Sequence, residues 1–188
     1  MPKILVTGFE AFAGNQVNPT QDLISSIIPN ESLQPLVLPV SFETSWPHLE
    51  CKIEQMRPDW VISFGVAAKR QSIDLERVAL NFMDASIVDN EGRLIEESII
   101  NTDLPDCFIN DLPLNEWKKQ LSSSYPVNVS LTAGSFVCNH LYFHLLAHRQ
   151  KYGYRTLFIH IPYANESFPQ TMFENFLTSF LAILNRSC

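Results

Sequence analysis

The chain has no basic run, no apolar stretch of membrane-spanning length and no cysteine pair at C-x-x-C spacing. Each absence excludes something. With 13 lysines and arginines against 20 aspartates and glutamates, the formal net charge is −7 at pH 7. That balance argues against a nucleic-acid surface, which needs clustered cations facing phosphates. No apolar run approaches the roughly 20 residues that a membrane helix requires. The opening Met1-Pro2-Lys3-Ile4-Leu5-Val6-Thr7-Gly8 is too short in apolar residues for a signal peptide. The expectation is a cytoplasmic protein with no nucleic acid and no membrane among its partners. The four cysteines, Cys51, Cys107, Cys138 and Cys188, also lack metal-finger spacing. In a reducing compartment all four are expected as free thiols.

Cofactor signatures are missing too. The loop Gly8-Phe9-Glu10-Ala11-Phe12-Ala13-Gly14 has neither G-x-G-x-x-G spacing nor the Lys-Ser/Thr of a P-loop, and Glu10 would repel phosphate. His140, His144 and His148 share one helix face, a spacing that suits zinc ligands. The residues after His144 are Leu145-Leu146-Ala147, however, so the H-E-x-x-H of a metalloprotease is absent. These histidines read as packing or solvent-facing residues, with no metal and no cofactor implied.

What is present is an ordinary globular composition, 46% hydrophobic and 18% charged over 188 residues, enough for one domain, 1–188, with a sizeable core. Strand signals fall at Lys3–Thr7, Leu36–Val40, Trp60–Gly65, Val127–Leu131 and Thr156–Ile161, and Ile73–Phe82 alternates as a strand or hairpin. Helices are expected from Asn18-Pro19-Thr20 to about Ile28, with Asn18 as N-cap and Pro19 at the first position. Others are expected between Ser45 and Met56 (opening near Pro47), over Leu114–Leu121, over Val137–Gln150 and from about Pro169 onward. In the last, Met172, Phe173, Phe176, Leu177, Phe180, Leu181 and Leu184 form one apolar stripe. Asp89-Asn90-Glu91-Gly92 reads as a turn and residues 101–113 as an irregular loop. Strands alternating with helices predict an α/β fold, a single-domain three-layer sandwich with a mostly parallel central sheet flanked by helices.

The chemistry concentrates in Thr132-Ala133-Gly134-Ser135-Phe136-Val137-Cys138-Asn139 and in His160, 22 residues after the cysteine. A cysteine just past a Gly/Ser turn and at the head of an apolar helix sits where unpaired N–H groups and the helix dipole favour thiolate. His160 ends an apolar strand, the place where α/β sheets collect active-site groups. A thiol needs such a base to act as a nucleophile at neutral pH. Glu76, in Ile73-Asp74-Leu75-Glu76-Arg77-Val78-Ala79-Leu80-Asn81, is a third candidate.

At these residues the chain resembles the pyroglutamyl peptidases, cysteine enzymes that remove a cyclised N-terminal glutamate. The resemblance runs through Val6-Thr7-Gly8-Phe9-Glu10-Ala11-Phe12, Asn18-Pro19-Thr20, Glu76-Arg77-Val78-Ala79-Leu80-Asn81, Asp89-Asn90-Glu91-Gly92, the cysteine block and His160-Ile161-Pro162-Tyr163. It implies a catalytic triad of Glu76, Cys138 and His160, acting through a thioester. It also implies a lactam pocket walled by Phe9 and Phe12, with Ile87, Phe136 and Val137 contributing and the backbone at Val66 pairing with the lactam. The implied partners are N-terminally pyroglutamylated peptides. A homotetramer is implied as well, though the residues themselves carry no oligomer signal.

Two departures bear on the pocket. Relatives commonly have Pro where this chain has Ala11 and Gly where it has Ala13. They also carry Arg at the position of Ser86, in Asp84-Ala85-Ser86-Ile87-Val88-Asp89-Asn90. The same residues therefore leave room for two other readings. One is a cysteine hydrolase for a different cyclic or N-blocked amide. The other is a non-catalytic relative that binds blocked peptides.

Overall fold

Alternation along the strands decides which way each side chain looks. The computed structural model describes residues 1–186. In it the elements run β1 (Ile4–Phe9), α1 (Pro19–Ser25), β2 (Leu33–Leu38), α2 (Ser45–Met56), β3 (Trp60–Val66), β4 (Ile73–Glu76), β5 (Val78–Leu80) and β6 (Cys107–Ile109). They continue with α3 (Leu114–Leu121), β7 (Val127–Ser130), α4 (Val137–Tyr152), β8 (Arg155–Ile161) and α5 (Gln170–Arg186). Six strands form the central sheet in the order β2-β1-β3-β8-β4-β7, and β5 pairs with β6 in a separate ribbon. All pairings in the central sheet are parallel except β4 with β8.

Each face of the sheet owns a core. Ile4 and Val6 of β1, Ile62 and Phe64 of β3, and Leu157, Ile159 and Ile161 of β8 pack with Leu23 and Ile24 of α1, Trp117 of α3 and Phe173, Phe176 and Phe180 of α5. The intervening residues Leu5, Val61 and Phe158 pack on the other face with Trp46, Leu49 and Ile53 of α2 and Leu141, Phe143 and Leu145 of α4. The result is the expected three-layer α/β sandwich with a mostly parallel sheet. The same parity sends Ser63 and Gly65 of β3, His160 of β8, and Asp74 and Glu76 of β4 toward the α2/α4 side. Small and polar residues thus end up beneath the helix that carries Cys138.

Several boundaries differ from the sequence expectation for physical reasons. β2 begins at Leu33 and contains Pro35; as an edge strand it tolerates a residue without an N–H. α1 stops at Ser25 instead of near Ile28, where the Ser26 hydroxyl donates to the Leu23 carbonyl at 2.9 Å. Asn18 caps its start, accepting from Thr20 N, as its position before Pro19 predicts. α2 opens at Ser45, which puts Pro47 inside the first turn, where a missing N–H costs nothing. Ile73–Phe82 divides into β4 and β5, and β5 leaves the main sheet to pair antiparallel with β6. β6 lies inside the segment expected to be irregular. Cys188 falls outside the described residues.

Candidate active site

The turn before α4 is built from its own sequence. Gly134 takes φ +84°, a left-handed conformation that suits glycine, and its N–H donates to Thr132 Oγ1 at 3.1 Å. Ser135 Oγ donates to the Asp84 carbonyl at 2.6 Å, and Asp84 N returns a bond to the Ser135 carbonyl at 3.0 Å. Phe136 is the N-cap of α4 and offers no side-chain cap, which leaves the first-turn N–H groups around Cys138 without intrahelical partners. Asn139, the next residue, is buried and fully used: Leu80 N donates to its Oδ1 at 2.9 Å. Its Nδ2 donates to the carbonyls of Leu80 at 2.9 Å and Phe82 at 3.0 Å.

Beneath Cys138 lies Gly65. A Cβ there would meet Cys138 Sγ at 2.8 Å and Phe158 ring carbons at 2.9 Å, so only a glycine lets the thiol approach the sheet. Gly65 is register partner to His160 on β8, so the thiol rests against the strand beside the histidine. His160 Nδ1 lies 2.7 Å from Glu76 Oε1, and both side chains are buried. A carboxylate only accepts, so Nδ1 carries the proton and Nε2 is left as the base. Glu76 is tied down from behind: Tyr142 of α4 donates its hydroxyl to the Glu76 carbonyl at 2.7 Å and accepts from Asn110 Nδ2 at 2.8 Å.

Cys138 and His160 open onto one pocket lined also by Phe9, Phe12, Val66, Phe136 and Val137. Its volume of about 220 Å³ is below the roughly 300–1,000 Å³ of sites for drug-sized ligands, which restricts it to a small group. The lining is largely aromatic and aliphatic. The Phe12 and Phe136 rings stand 6.2 Å apart, whereas Phe9 packs against Phe158 with centroids at 6.4 Å. Loop 10–18, which carries Phe12, is held by Asn90 Nδ2, donating to Glu10 Oε1 and to the Ala11 carbonyl at 2.8 Å each. Asn18 Nδ2 adds a bond to the Glu10 carbonyl at 2.9 Å. Ala13 in this loop takes φ 55°.

Burial pushes the Cys138 thiol up to about 12, and the Glu76 charge adds to the effect, outweighing the cysteine's own N–H and Arg70, which act the other way. The helix start favours the thiolate, as its sequence position suggests, but burial opposes it more strongly. The thiol set against Gly65 is removed from water, and that desolvation is the largest cause of the rise.

Of the residues singled out in the sequence, Glu76, Cys138, His160, Phe9, Phe12, Val66, Phe136 and Val137 converge here. Ile87 does not line the pocket; it is 42% exposed. Ser86 is also exposed and outside the lining. The sequence reading passed over Arg70 and gave Asn18 only a capping role, although both border the pocket. For Arg70 the available signal was its place just past a strand's carboxyl end, four residues before Asp74. The histidine face is remote from the pocket lining except through His140, whose ring lies 5.7 Å from Phe42, itself 5.3 Å from Phe136. Among the described residues no group of three or more His, Cys, Asp or Glu side chains has metal-holding geometry. No helix among them is long and apolar enough to cross a membrane.

A cysteine at a helix start over a parallel α/β sheet, with a carboxylate-paired histidine at one small apolar pocket, defines the class: a cysteine hydrolase. Comparison with known proteins narrows it. A family model described as pyroglutamyl peptidase matches residues 2–175. The chain is 40% identical over 170 residues to the pyrrolidone-carboxylate peptidase of Brachyspira hyodysenteriae, covering 87% of this chain and 85% of that one. It is 38% identical over 171 residues to that of Pyrococcus furiosus, covering 87% and 82%. Among solved structures, pyroglutamyl peptidase I of Bacillus amyloliquefaciens superposes with a TM-score of 0.87 at 31% identity, covering 94% of this chain and 93% of that one. The pyrrolidone carboxyl peptidase of Thermococcus litoralis gives 0.86 at 30% identity, covering 100% and 97%. The chain belongs to the pyroglutamyl peptidase family and is a cysteine peptidase.

Proposed function

We propose that this protein hydrolyses the amide bond that follows an N-terminal pyroglutamyl residue, with Cys138 as nucleophile, His160 as base and acid, and Glu76 as the partner of His160. One observation carries the reading: Cys138 and the Glu76-paired His160 share a small pocket with Phe9, Phe12 and Phe136. A pyroglutamyl terminus has no ammonium group, so a pocket of flat apolar walls suits it and a pocket with a binding carboxylate would not. Val66, at the end of β3, lines the same pocket, which supports the role that the family resemblance gives its backbone, pairing with the lactam N–H and C=O. The names of its relatives point to the same substrate.

His160 Nε2 takes the Sγ proton as sulfur bonds to the substrate carbonyl carbon, which meets the high cost of ionising this thiol alone. The uncapped N–H of Cys138 supports the developing oxyanion. His160 then gives the proton to the departing amine as the C–N bond breaks, leaving a thioester. Water, deprotonated by His160, attacks the thioester; pyroglutamate leaves and the thiol is restored. Glu76 keeps the imidazole in the required tautomer and stabilises its cation.

The test is hydrolysis of a pyroglutamyl fluorogenic amide against prolyl and glutamyl amides. Proline matches the ring but lacks the lactam oxygen, leaving a donor unpaired at about 1–3 kcal/mol, and brings a charged amine into an apolar site. Turnover is expected for the pyroglutamyl amide and only traces for the others. Equal turnover of the prolyl amide would favour a hydrolase for another ring, and binding without turnover a non-catalytic relative.

A further inference from the structure

Arg70 has no part in the mechanism above, yet its guanidinium reaches three acceptors from the loop after β3. One nitrogen pairs with Asp74. The other, Nη2, donates to the Thr132 carbonyl at 2.8 Å and lies 2.9 Å from Glu76 Oε1. That oxygen is the one His160 Nδ1 uses. Three segments meet at this side chain: the β3 loop, strand β4 and the turn leading to Cys138. Glu76 is wholly buried, and its second oxygen, Oε2, has no hydrogen-bond partner. A carboxylate removed from water this completely needs an opposing charge as well as donors. A neutral His160 supplies a hydrogen bond but no charge. Arg70 supplies a permanent one.

We infer that Arg70 is a positioning residue of the Cys138, His160 and Glu76 machinery, holding Glu76 as an anion aimed at His160 and tying it to the turn that bears the nucleophile. The inference rests on the triad reading given above. Asp74 acts as the anchor: it fixes one guanidinium nitrogen so that the other faces Glu76, and it is itself held by the Ser72 hydroxyl. The charged and titratable groups facing Arg70 are Asp74 and Glu76 from β4, His160 from β8 and Cys138 from α4, with Lys69 next to it on the loop. Loss of the positive charge leaves two anions unbalanced beside His160 and Cys138. Protons then bind more tightly both to the His160–Glu76 pair and to the Cys138–His160 pair, because the whole cluster loses one neighbouring cation. Both limbs of the pH profile move to higher pH. An arginine with a merely architectural role would lower activity or stability at every pH and leave the limbs in place.

The experiment compares wild type, Arg70→Gln and Arg70→Lys in kcat/KM across roughly pH 5–10, with a pyroglutamyl fluorogenic amide as substrate. Circular dichroism checks folding and Cys138→Ala serves as control. For Arg70→Gln, which keeps a donor without the charge, both limbs are expected to rise by about one pH unit or more. For Arg70→Lys, which keeps the charge but cannot span three acceptors, the limbs should hold while kcat falls about tenfold or more with KM little changed. Unmoved limbs in a folded Arg70→Gln overturn the inference. If that variant does not fold, Arg70→Lys decides: stationary limbs with kcat reduced while KM and melting temperature stay at wild-type values support the inference, and wild-type kcat, shifted limbs or a loss of activity that tracks a fall in melting temperature overturn it. An active Cys138→Ala would instead remove the triad reading on which it stands.

Discussion

At the scale of single residues the account turns on one buried thiol. Cys138 is held against Gly65 and its ionisation is opposed by burial, so the proposed mechanism assigns the proton to His160 and not to the helix end alone. Cys138→Ala should abolish turnover, while Cys51→Ser and Cys107→Ser, both at exposed free thiols, should keep it; steady-state assays decide. Gly65→Ala makes a finer test. The new methyl would press on the sulfur at 2.8 Å and on the buried Phe158 ring at 2.9 Å, so kcat should fall by about a hundredfold, the order found for ~1 Å misplacements, and the melting temperature should fall with it. Ala13 offers a test of opposite sign. At φ 55° its Cβ is in a conformation that costs about 1 kcal/mol. Ala13→Gly should therefore leave the melting temperature unchanged or raise it, where a glycine in an ordinary loop would lower it.

At the scale of elements, α4 does most of the positioning and also carries a liability. Asn139 satisfies three backbone groups of the β5 segment. Asn139→Leu should destabilise by at least about 2 kcal/mol, measured by urea unfolding, and should lower kcat by loosening the residue beside the nucleophile. On the same helix His140 and His144 approach Nε2 to Nε2 at 3.2 Å, and Trp46 stacks on His144 at 5.3 Å. Burial holds His140 down to about 3, with His144 adding to it. Burial holds His144 down to about 4, with His148 adding and Glu50 opposing. Below the ordinary histidine value near 6.5, the unfolded chain takes up protons that the folded one refuses. Stability is thus full above about pH 6.5 and is lost progressively as the pH falls toward 4 and then 3. His140→Phe should flatten the fall in urea midpoint over that interval relative to wild type. An identical slope in the variant contradicts the packing role given to this face.

At the scale of the whole molecule, much was legible because strand parity and helix stripes are local signals. The α5 stripe and the buried strands β1, β3 and β8 appear where the apolar pattern puts them, and the cysteine turn, His160 and Glu76 stand on the elements expected. What escaped was set by tertiary context. The alternation over Ile73–Phe82 covers β5, but not its split from β4 or its pairing with the three-residue β6, which joins residues far apart in sequence. Arg70 reads as an ordinary surface cation until the fold brings Asp74, Glu76 and Thr132 around it. Ile87 illustrates the reverse: its motif neighbours match, but the loop leaves it facing outward. The pairing of β4 with both β8 and β7 is the global feature that sets Glu76 under His160, and no short motif encodes it.

The central claim, that Cys138 forms a thioester with the pyroglutamyl group, is tested most directly by acid-quenching the enzyme during turnover of a pyroglutamyl amide and mapping the adduct by mass spectrometry. The account predicts a pyroglutamyl mass on the peptide containing Cys138 and on no other, absent from Cys138→Ala, with stoichiometric early release of the leaving amine. Continued turnover by Cys138→Ala, or a covalent adduct on another residue, would contradict it.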